Sequence, residues 1–156
     1  MNKYFKLFLC IVGCQLTGII GAAFTNDAIS SWYAYLNKPP FSPPNWVFGP
    51  VWTTLYCLMG ISLYLILETK GKTKAVKDAA KYFYIQLALN LIWTPFFFGL
   101  RSTLLGLIIV IPLWVFIVLT MKKFYPLSKT ASYLLIPYLL WVSFATILNA
   151  SLFWLN

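Results

Sequence analysis

The sequence predicts an all-α membrane protein, a bundle of five transmembrane helices with a long proline- and aromatic-rich loop between the first two. Its 156 residues are 61% hydrophobic and only 10% charged, whereas soluble domains are usually about 25% charged. Five uncharged stretches alternate with charged segments, and each is close to or longer than the ~20 residues that cross a bilayer as a helix. They are residues 7–26, 39–67, 82–100, 102–121 and 130–156.

The bilayer itself explains why these stretches are predicted to be helices. Hydrocarbon cannot hydrogen-bond to exposed backbone groups, so a spanning segment must be a helix or part of a closed barrel. The five stretches and their connections use the whole length, which leaves no room for a second domain. Residues 1–156 are therefore predicted to form one membrane domain.

Prolines help to place the helices. Pro50 suits the first turn of the second helix, and Pro95 is expected to kink the third. Pro137 falls inside the fifth predicted helix. The fourth segment is the most apolar and is predicted to face mainly lipid or a second copy of the chain. In order, the predicted helices cover about residues 5–24, 47–67, 81–98, 103–122 and 130–153.

The first predicted helix carries small or short residues at helical spacing. Rows of this kind allow helices to approach closely in lipid. The rows favour either packing inside the bundle or a dimer face, and packing is slightly preferred. They consist of Gly13, Thr17 and Gly21, and of Cys14, Gly18 and Ala22.

Residues 26–50 differ from the rest of the chain because prolines and aromatic side chains alternate there. Prolines disfavour helix and stiffen extended or turning backbone. One interpretation is an aromatic belt at the membrane interface. The preferred one is a semi-rigid lid over a cavity. The residues concerned are Pro39, Pro40, Pro43, Pro44 and Pro50, with Trp32, Tyr33, Tyr35, Phe41, Trp46 and Phe48.

Positive charge is divided unequally between the two predicted sides of the membrane. Ten lysines fall on one side, whereas only Lys38 and Arg101 fall on the other. This bias predicts a cytoplasmic N-terminus, cytoplasmic 68–81 and 122–129 loops and an external C-terminus. The basic loops are expected to touch anionic lipid head groups, and no motif indicates nucleic acid. The ten are Lys3, Lys6, Lys70, Lys72, Lys74, Lys77, Lys81, Lys122, Lys123 and Lys129.

Few side chains could perform acid–base or metal chemistry. The chain has no histidine, which is the commonest metal ligand and general base. Its only acids are Asp27, Glu68 and Asp78, all in or beside predicted loops. There is no nucleophile elbow, phosphate loop or paired-carboxylate site. No metal site and no required cofactor are predicted, and a proton-coupled pump is disfavoured.

Aromatic residues make up 19% of the chain, and several share one face of a predicted helix. Such faces have two interpretations, and spacing alone leaves both equally open. They either join helices through hydrogen bonds or line a cavity for a large planar ligand with a few polar groups. The sets are Trp52, Tyr56 and Met59; Asn90, Trp93 and Phe97; and Trp141, Ala145 and Leu148 with Asn149 adjacent.

Three blocks of the sequence resemble the tryptophan-rich sensory protein family, whose mitochondrial members are called translocator protein or peripheral benzodiazepine receptor. They span residues 32–149, and the first is highly specific. This block begins with Trp32-Tyr33 and Lys38-Pro39 and continues as Pro43-Pro44-x-Trp46-Val47-Phe48-Gly49-Pro50-Val51-Trp52-Thr53-x-Leu55-Tyr56-x-x-Met59-Gly60. The others are Gln86-x-x-Leu89-Asn90-x-x-Trp93 with Phe97-Phe98-Gly99-x-Arg101, and Pro137-Tyr138-x-x-Trp141-x-x-Phe144-Ala145-x-x-Leu148-Asn149.

The resemblance implies a five-helix bundle, often a homodimer. The lysine bias and the short N-terminal segment predict a member from a bacterial plasma membrane. The resemblance also implies a pocket that binds porphyrins such as protoporphyrin IX and synthetic benzodiazepine-site ligands, in connection with transport or sensing. Ala22 is expected to be a wall residue rather than a ligand anchor. The ligand-binding residues carried over are Tyr33, Pro43, Phe48, Trp52, Asn90, Trp93, Trp141, Ala145 and Leu148.

Two other functions stay open. The family is reported to promote light- and oxygen-dependent porphyrin breakdown, which would make Trp52 and Trp141 the catalytic candidates. A structural role that organises membrane partners would not depend on the pocket.

One departure from the family concerns cholesterol. Residues 148–154 lack the tyrosine and following basic residue of the mitochondrial recognition pattern. Such patterns are themselves weak evidence.

Overall fold

The computed structural model describes all 156 residues, and the chain is helical apart from short connections. Two 3₁₀ turns, Tyr33–Tyr35 and Asn45–Val47, lie between the first two helices, and a π-helical turn, Pro95–Gly99, follows the third. The helices are α1 (Lys3–Ser31), α2 (Phe48–Leu67), α3 (Thr73–Thr94), α4 (Thr103–Phe124), α5 (Lys129–Tyr133) and α6 (Ile136–Leu155).

Four helical segments are long and apolar enough to cross a membrane. The helix α3 is not among them because its first turns contain Lys74, Lys77, Asp78 and Lys81. The prediction of an all-helical protein with several apolar membrane helices is confirmed. The four segments are Lys3–Ser31, Asn45–Leu67, Thr103–Phe124 and Lys129–Leu155.

The helix α1 is longer than predicted, since it continues to Ser31 instead of ending near residue 24. Its extra turns are polar, so they carry no hydropathy signal. Two interactions stabilise them: the Ser31 hydroxyl donates to the Asp27 carbonyl at 2.7 Å, and the Arg101 guanidinium lies 3.4 Å from the Asp27 carboxylate. At the other end, the side chain of Asn2 caps the helix by accepting from the Tyr4 N–H.

The helix α3 begins at Thr73, well before the predicted start near residue 81. Lysine and alanine, which dominate these extra turns, are good helix formers even outside an apolar environment. At its other end the predicted distortion at Pro95 is confirmed. The Leu100 N–H donates to the Pro95 carbonyl at 2.8 Å, and the Ser102 N–H donates to the Phe97 carbonyl at 3.1 Å. Both bonds span five residues, as in a π-helix.

The predicted fifth helix is divided. The short helix α5 ends at Tyr133, and α6 begins at Ile136 with Pro137 in its first turn. Proline has no N–H to donate, and in a helix its ring clashes with the carbonyl four residues earlier, which here belongs to Tyr133 at the end of α5. The prediction of a continuous helix over residues 130–153 is therefore wrong at this point.

The helix α4, which was predicted to face mainly lipid or a second copy of the chain, has most of its residues only partly buried or exposed. One of its faces is buried in the bundle, while residues such as Leu104 and Ile108 on the opposite side are exposed. The sequence is apolar on all sides, so hydropathy could not distinguish the two faces. The buried residues recur at helical spacing: Gly106, Val110, Leu113, Ile117, Thr120 and Phe124.

The small residues of α1 pack inside the bundle. Cys14, Thr17 and Gly21 are buried, and a Cβ atom on Gly18 would lie 2.7 Å from the Tyr56 ring. Gly13 and Ala22 are the exceptions, because both are exposed, and no atom lies within 4 Å of the position that a Cβ on Gly13 would take.

The closest approach of α1 and α2 occurs at Gly60. A Cβ atom added there would lie 2.5 Å from the Cα of Ile11 and 2.8 Å from its N. Backbone atoms cannot rotate away as a side chain does, so this contact requires glycine. The two helices are thus held together on the side of the molecule that carries the α2–α3 connection.

The apolar core has two parts. The larger lies among α2, α3, α4 and α6 and includes the fully buried side chains of Met59, Phe83 and Ile117. The smaller lies beneath the α1–α2 connection and contains Tyr33, Phe97, Leu148 and Leu152. The candidate site lies where these two clusters approach each other.

Replacing Gly60 by alanine is expected to destabilise the protein by about 1–3 kcal/mol, the usual cost of overpacking. The added methyl group would force the backbones of α1 and α2 apart. The measurement is the thermal unfolding midpoint in detergent. Gly13→Ala is the matched control, because the same methyl group meets no atom there. Equal midpoints for the two variants would contradict the close approach at Gly60.

Candidate functional site: an aromatic cavity

The main cavity has a volume of about 540 Å³ and lies among α1, α2, α3 and α6 beneath the α1–α2 connection. Its wall is formed by 26 residues, of which 15 are hydrophobic. None of the 26 carries a charge. Drug-sized ligands occupy pockets of about 300–1,000 Å³ with mostly apolar walls and a few polar groups, so this cavity has the size and character of a small-molecule site.

Eight of the nine sequence-predicted ligand-binding residues line this cavity. They come from four separate parts of the chain and converge only in the tertiary structure. The exception is Pro43, which is half-buried in the α1–α2 connection. It precedes the 3₁₀ turn, which brings Asn45 and Trp46 to the cavity instead. The eight are Tyr33, Phe48, Trp52, Asn90, Trp93, Trp141, Ala145 and Leu148.

Tyr33 anchors the α1–α2 connection over the cavity. Its side chain is only 2% exposed, and its ring centroid lies 6.4 Å from that of Phe97 and 5.9 Å from that of Phe98. The ammonium group of Lys38 lies 4.8 Å from the Tyr33 ring centroid. Burial raises the pKa of the Tyr33 phenol above its ordinary value. The hydroxyl therefore stays protonated at physiological pH, and it has no hydrogen-bond partner.

The first half of the connection is attached to the C-terminal residue through hydrogen bonds between the Asn37 backbone and the Asn156 side chain. The Asn37 N–H donates to the Asn156 side-chain oxygen at 2.9 Å. The amide nitrogen of Asn156 donates in return to the Asn37 carbonyl at 3.0 Å. One side chain thus satisfies both backbone groups of Asn37, which holds the connection against the end of α6.

The indoles of Trp52 and Trp141 offer free hydrogen-bond donors at the cavity. The Trp52 ring stacks on Tyr56 with centroids 5.5 Å apart, and the Trp141 ring meets Phe48 at 6.0 Å. Neither indole N–H has a protein acceptor, whereas that of Trp93 donates to Asn149 at 3.4 Å. A buried indole N–H usually has a partner, so these two donors are available to a ligand.

Asn90 belongs to a chain of buried hydrogen bonds that joins three helices. The Tyr56 hydroxyl donates to Asn90 Oδ1 at 2.7 Å, and Asn90 Nδ2 donates to the Tyr138 hydroxyl at 2.8 Å. Tyr138 donates in turn to Gln86 Oε1 at 2.7 Å, and Gln86 Nε2 has no partner. The two interpretations of these faces are therefore compatible: Asn90 joins helices and also belongs to the cavity wall, and its amide has a second N–H that makes no bond within the protein.

The cavity is closed at one end and open between α1 and α2. At the closed end, the side-chain nitrogen of Gln15 donates to the Thr53 carbonyl at 2.9 Å. Beyond this bridge, exposed residues of both helices form the wall, among them Ile19 and Ala22 of α1 and Gly49 of α2.

Sequence reasoning missed most of the contribution of α1. Only Ala22 was expected to belong to the wall. A signal was present, because polar side chains in an apolar helix at one-face spacing suggest a cavity or a packed interface. The wall residues of α1 include Gln15, Gly18, Ala22, Thr25 and Ile29, which recur every three or four residues.

Comparison with known proteins agrees with the family resemblance seen in the sequence. A model of the TspO/MBR family matches residues 10–155. The chain is 48% identical to the tryptophan-rich protein TspO of Chlorobaculum tepidum over 100% of this chain and 99% of the relative. It is 37% identical to the tryptophan-rich sensory protein of Cereibacter sphaeroides, covering 100% and 95%. It is 40% identical to the translocator protein of Homo sapiens, covering 88% and 80%.

Replacing Tyr138 by phenylalanine is expected to destabilise the bundle by about 1–2 kcal/mol. The change removes the acceptor of Asn90 and the donor to Gln86 while keeping the ring. The thermal unfolding midpoint in detergent measures the loss. Tyr35→Phe is the control, because Tyr35 is 84% exposed. A midpoint for Tyr138→Phe equal to that of the control would refute the role of this hydrogen-bond chain.

Proposed function

Because this chain belongs to the TspO/MBR family of membrane proteins, we propose that its cavity binds a planar hydrophobic tetrapyrrole such as protoporphyrin IX. Synthetic benzodiazepine-site ligands are proposed to occupy the same place. The observation that carries the proposal is the pair of free indole donors, Trp52 and Trp141, on an otherwise neutral aromatic wall. Binding would serve transport or sensing of the ligand.

The wall favours a flat guest. Aromatic rings attract one another in stacked or edge-to-face arrangements, and each such pair contributes about 0.5–1.5 kcal/mol beyond burial. Trp52, Trp93 and Trp141 present rings from α2, α3 and α6 to one space. Ala145 lies one turn from Trp141 and leaves room that a larger side chain would fill. A macrocycle can thus contact several rings at once.

Polar groups would select the substituents of the guest. The indole N–H groups of Trp52 and Trp141 and the remaining N–H of Asn90 are all donors, so they suit a ligand with acceptor groups such as carboxylates. No acidic residue lines the cavity to repel them. The open side between α1 and α2 would admit a guest already dissolved in the membrane.

We also propose that α3 and its π-turn form a fifth span. Residues 82–100 are uncharged, and Phe83, Gln86, Asn90 and Phe97 are buried among the other helices. The lysine bias then places the N-terminus in the cytoplasm and the C-terminus outside the plasma membrane of a bacterium. The homodimer implied by the resemblance stays a prediction, because exposed apolar side chains on several helices favour no single interface.

Phosphatase fusions are expected to distinguish the two sides of the membrane. An enzyme active only outside the cytoplasm should work when fused after Asn156 and fail when fused after Tyr125, in the α4–α5 connection. The physical reason is the basic character of residues 122–129, which resists transfer across the membrane. Equal activity of the two fusions would reject this topology.

The double variant Trp52→Phe/Trp141→Phe is expected to bind protoporphyrin IX about 5- to 150-fold more weakly. It loses two indole donors, each worth about 0.5–1.5 kcal/mol, while keeping aromatic rings. Saturable change in porphyrin fluorescence, titrated in the dark, measures the affinity. Trp154→Phe is the control, because Trp154 is 86% exposed and lies outside the wall. Unchanged affinity in the double variant would remove this site assignment.

Photo-oxidative breakdown of the porphyrin is the second candidate function. The stacked pair of Trp52 and Tyr56, with the Tyr56 hydroxyl bonded to Asn90, favours it, because an oxidised indole could be re-reduced by the neighbouring phenol. Illumination of bound protoporphyrin IX in air would test it through the products formed. If bound porphyrin bleaches at the same rate as free porphyrin in detergent, photo-oxidative activity of the protein is rejected. The binding proposal would not be affected.

A further inference from the structure

A second cavity lies on the other side of the bundle, where α2 ends and α3 begins. Its volume is about 590 Å³, and Leu67 of α2 forms one edge. It is a groove on the surface rather than an enclosed space. It shares no residue with the aromatic cavity, so the tetrapyrrole proposal does not account for it. Most of its wall comes from one face of α3: Lys77, Ala80, Lys81, Tyr84, Ile85 and Ala88.

The groove is chemically divided along its length. Residues 77 to 88 follow one helix face and extend about 16 Å at the α-helical rise. The end near the α2–α3 connection carries the two ammonium groups of Lys77 and Lys81, one turn apart. The other end, around Tyr84, Ile85 and Ala88, is apolar and has no charged neighbour in the wall. A ligand that fills the groove therefore needs an anionic end and a long apolar part.

Both lysines lack a counterion in the protein. The chain has three acidic residues, and each is paired with another cation. Asp78 meets Lys123 at 2.6 Å, whereas Asp27 pairs with Arg101 and Glu68 pairs with Lys6. The neighbouring acid Asp78 is thus already engaged across the α3–α4 interface. Two adjacent positive charges at the mouth of an apolar groove are left to an external anion.

We propose that this groove binds one anionic phospholipid of the surrounding bilayer. Its phosphate group lies between Lys77 and Lys81, and one acyl chain follows Tyr84, Ile85 and Ala88. Free phosphate would satisfy only the charged end, and a zwitterionic lipid would bring a cation to the two lysines. An anionic lipid satisfies both ends at once, since lysine side chains near a membrane surface attract anionic head groups.

The test uses the full-length protein in detergent and counts bound lipid by native mass spectrometry. Phosphatidylglycerol is titrated against phosphatidylcholine with the same acyl chains, and inorganic phosphate is added as a competitor. The groove variant is Lys77→Gln/Lys81→Gln. The matched control, Lys70→Gln/Lys74→Gln, removes the same charge from basic positions outside the groove. Ala88→Phe fills the apolar end without changing the charge.

One phosphatidylglycerol molecule is expected to bind with higher affinity than any further lipid molecule, and added phosphate should not displace it. Each groove lysine should contribute about fivefold to its affinity, the scale of attraction between one lysine and an anionic membrane surface, and Ala88→Phe should also weaken it. The control should leave the affinity unchanged. Equal losses in groove and control variants, equal binding of phosphatidylcholine, or displacement by phosphate would each overturn the proposal. The thermal unfolding midpoint of the same variants shows whether they are folded, and this control does not depend on the tetrapyrrole proposal.

Discussion

A single chain of hydrogen bonds, from Tyr56 through Asn90 and Tyr138 to Gln86, ties together the three helices that carry Trp52, Trp93 and Trp141 of the cavity. In lipid there is no hydrophobic force between helices, so packing and polar contacts decide how they associate. Each bond adds little free energy, but every bond requires a particular rotation of its helix. When Asn90 faces Tyr56 and Tyr138, Trp93 one turn away faces the cavity as well.

The close approach of α1 and α2 at Gly60 complements this constraint. The two helices touch where a glycine faces the backbone of Ile11, and Gln15 bridges them to Thr53 a little further along. Beyond that bridge α1 contacts α3 and its π-turn, where Gly21 lies against Thr94 and Gly99 against Phe24. The gap left between α1 and α2 becomes the open side of the cavity. A contact at one end of a helix pair thus shapes a binding space at the other.

Charged side chains and the aromatic cavity occupy separate parts of the molecule. The aromatic cavity contains no charged residue, while the three acids all form ion pairs between segments of the chain. These exposed pairs contribute little to stability individually. Because the three acids are already paired, most lysines, including Lys77 and Lys81, have no acidic partner in the protein. These lysines depend on the surroundings for counterions. One end of the bundle therefore carries a neutral aromatic cavity, and the other carries lysines without a partner in the protein.

The sequence by itself determined the helical class, the apolar segments and the residue types of the site, because uncharged length and aromatic motifs are local properties of the chain. It was less reliable where the chain is polar or uniformly apolar. The helix α1 ends later and α3 begins earlier than predicted, and hydropathy could not identify the buried face of α4. Only the tertiary structure decided that Asn90 is bonded on both sides of its amide, that the indoles of Trp52 and Trp141 stay free, and that α1 supplies a wall. The physical reason is that lipid accepts an apolar helix face as readily as the bundle interior does. The choice of face then depends on glycine contacts and hydrogen bonds between segments far apart in sequence.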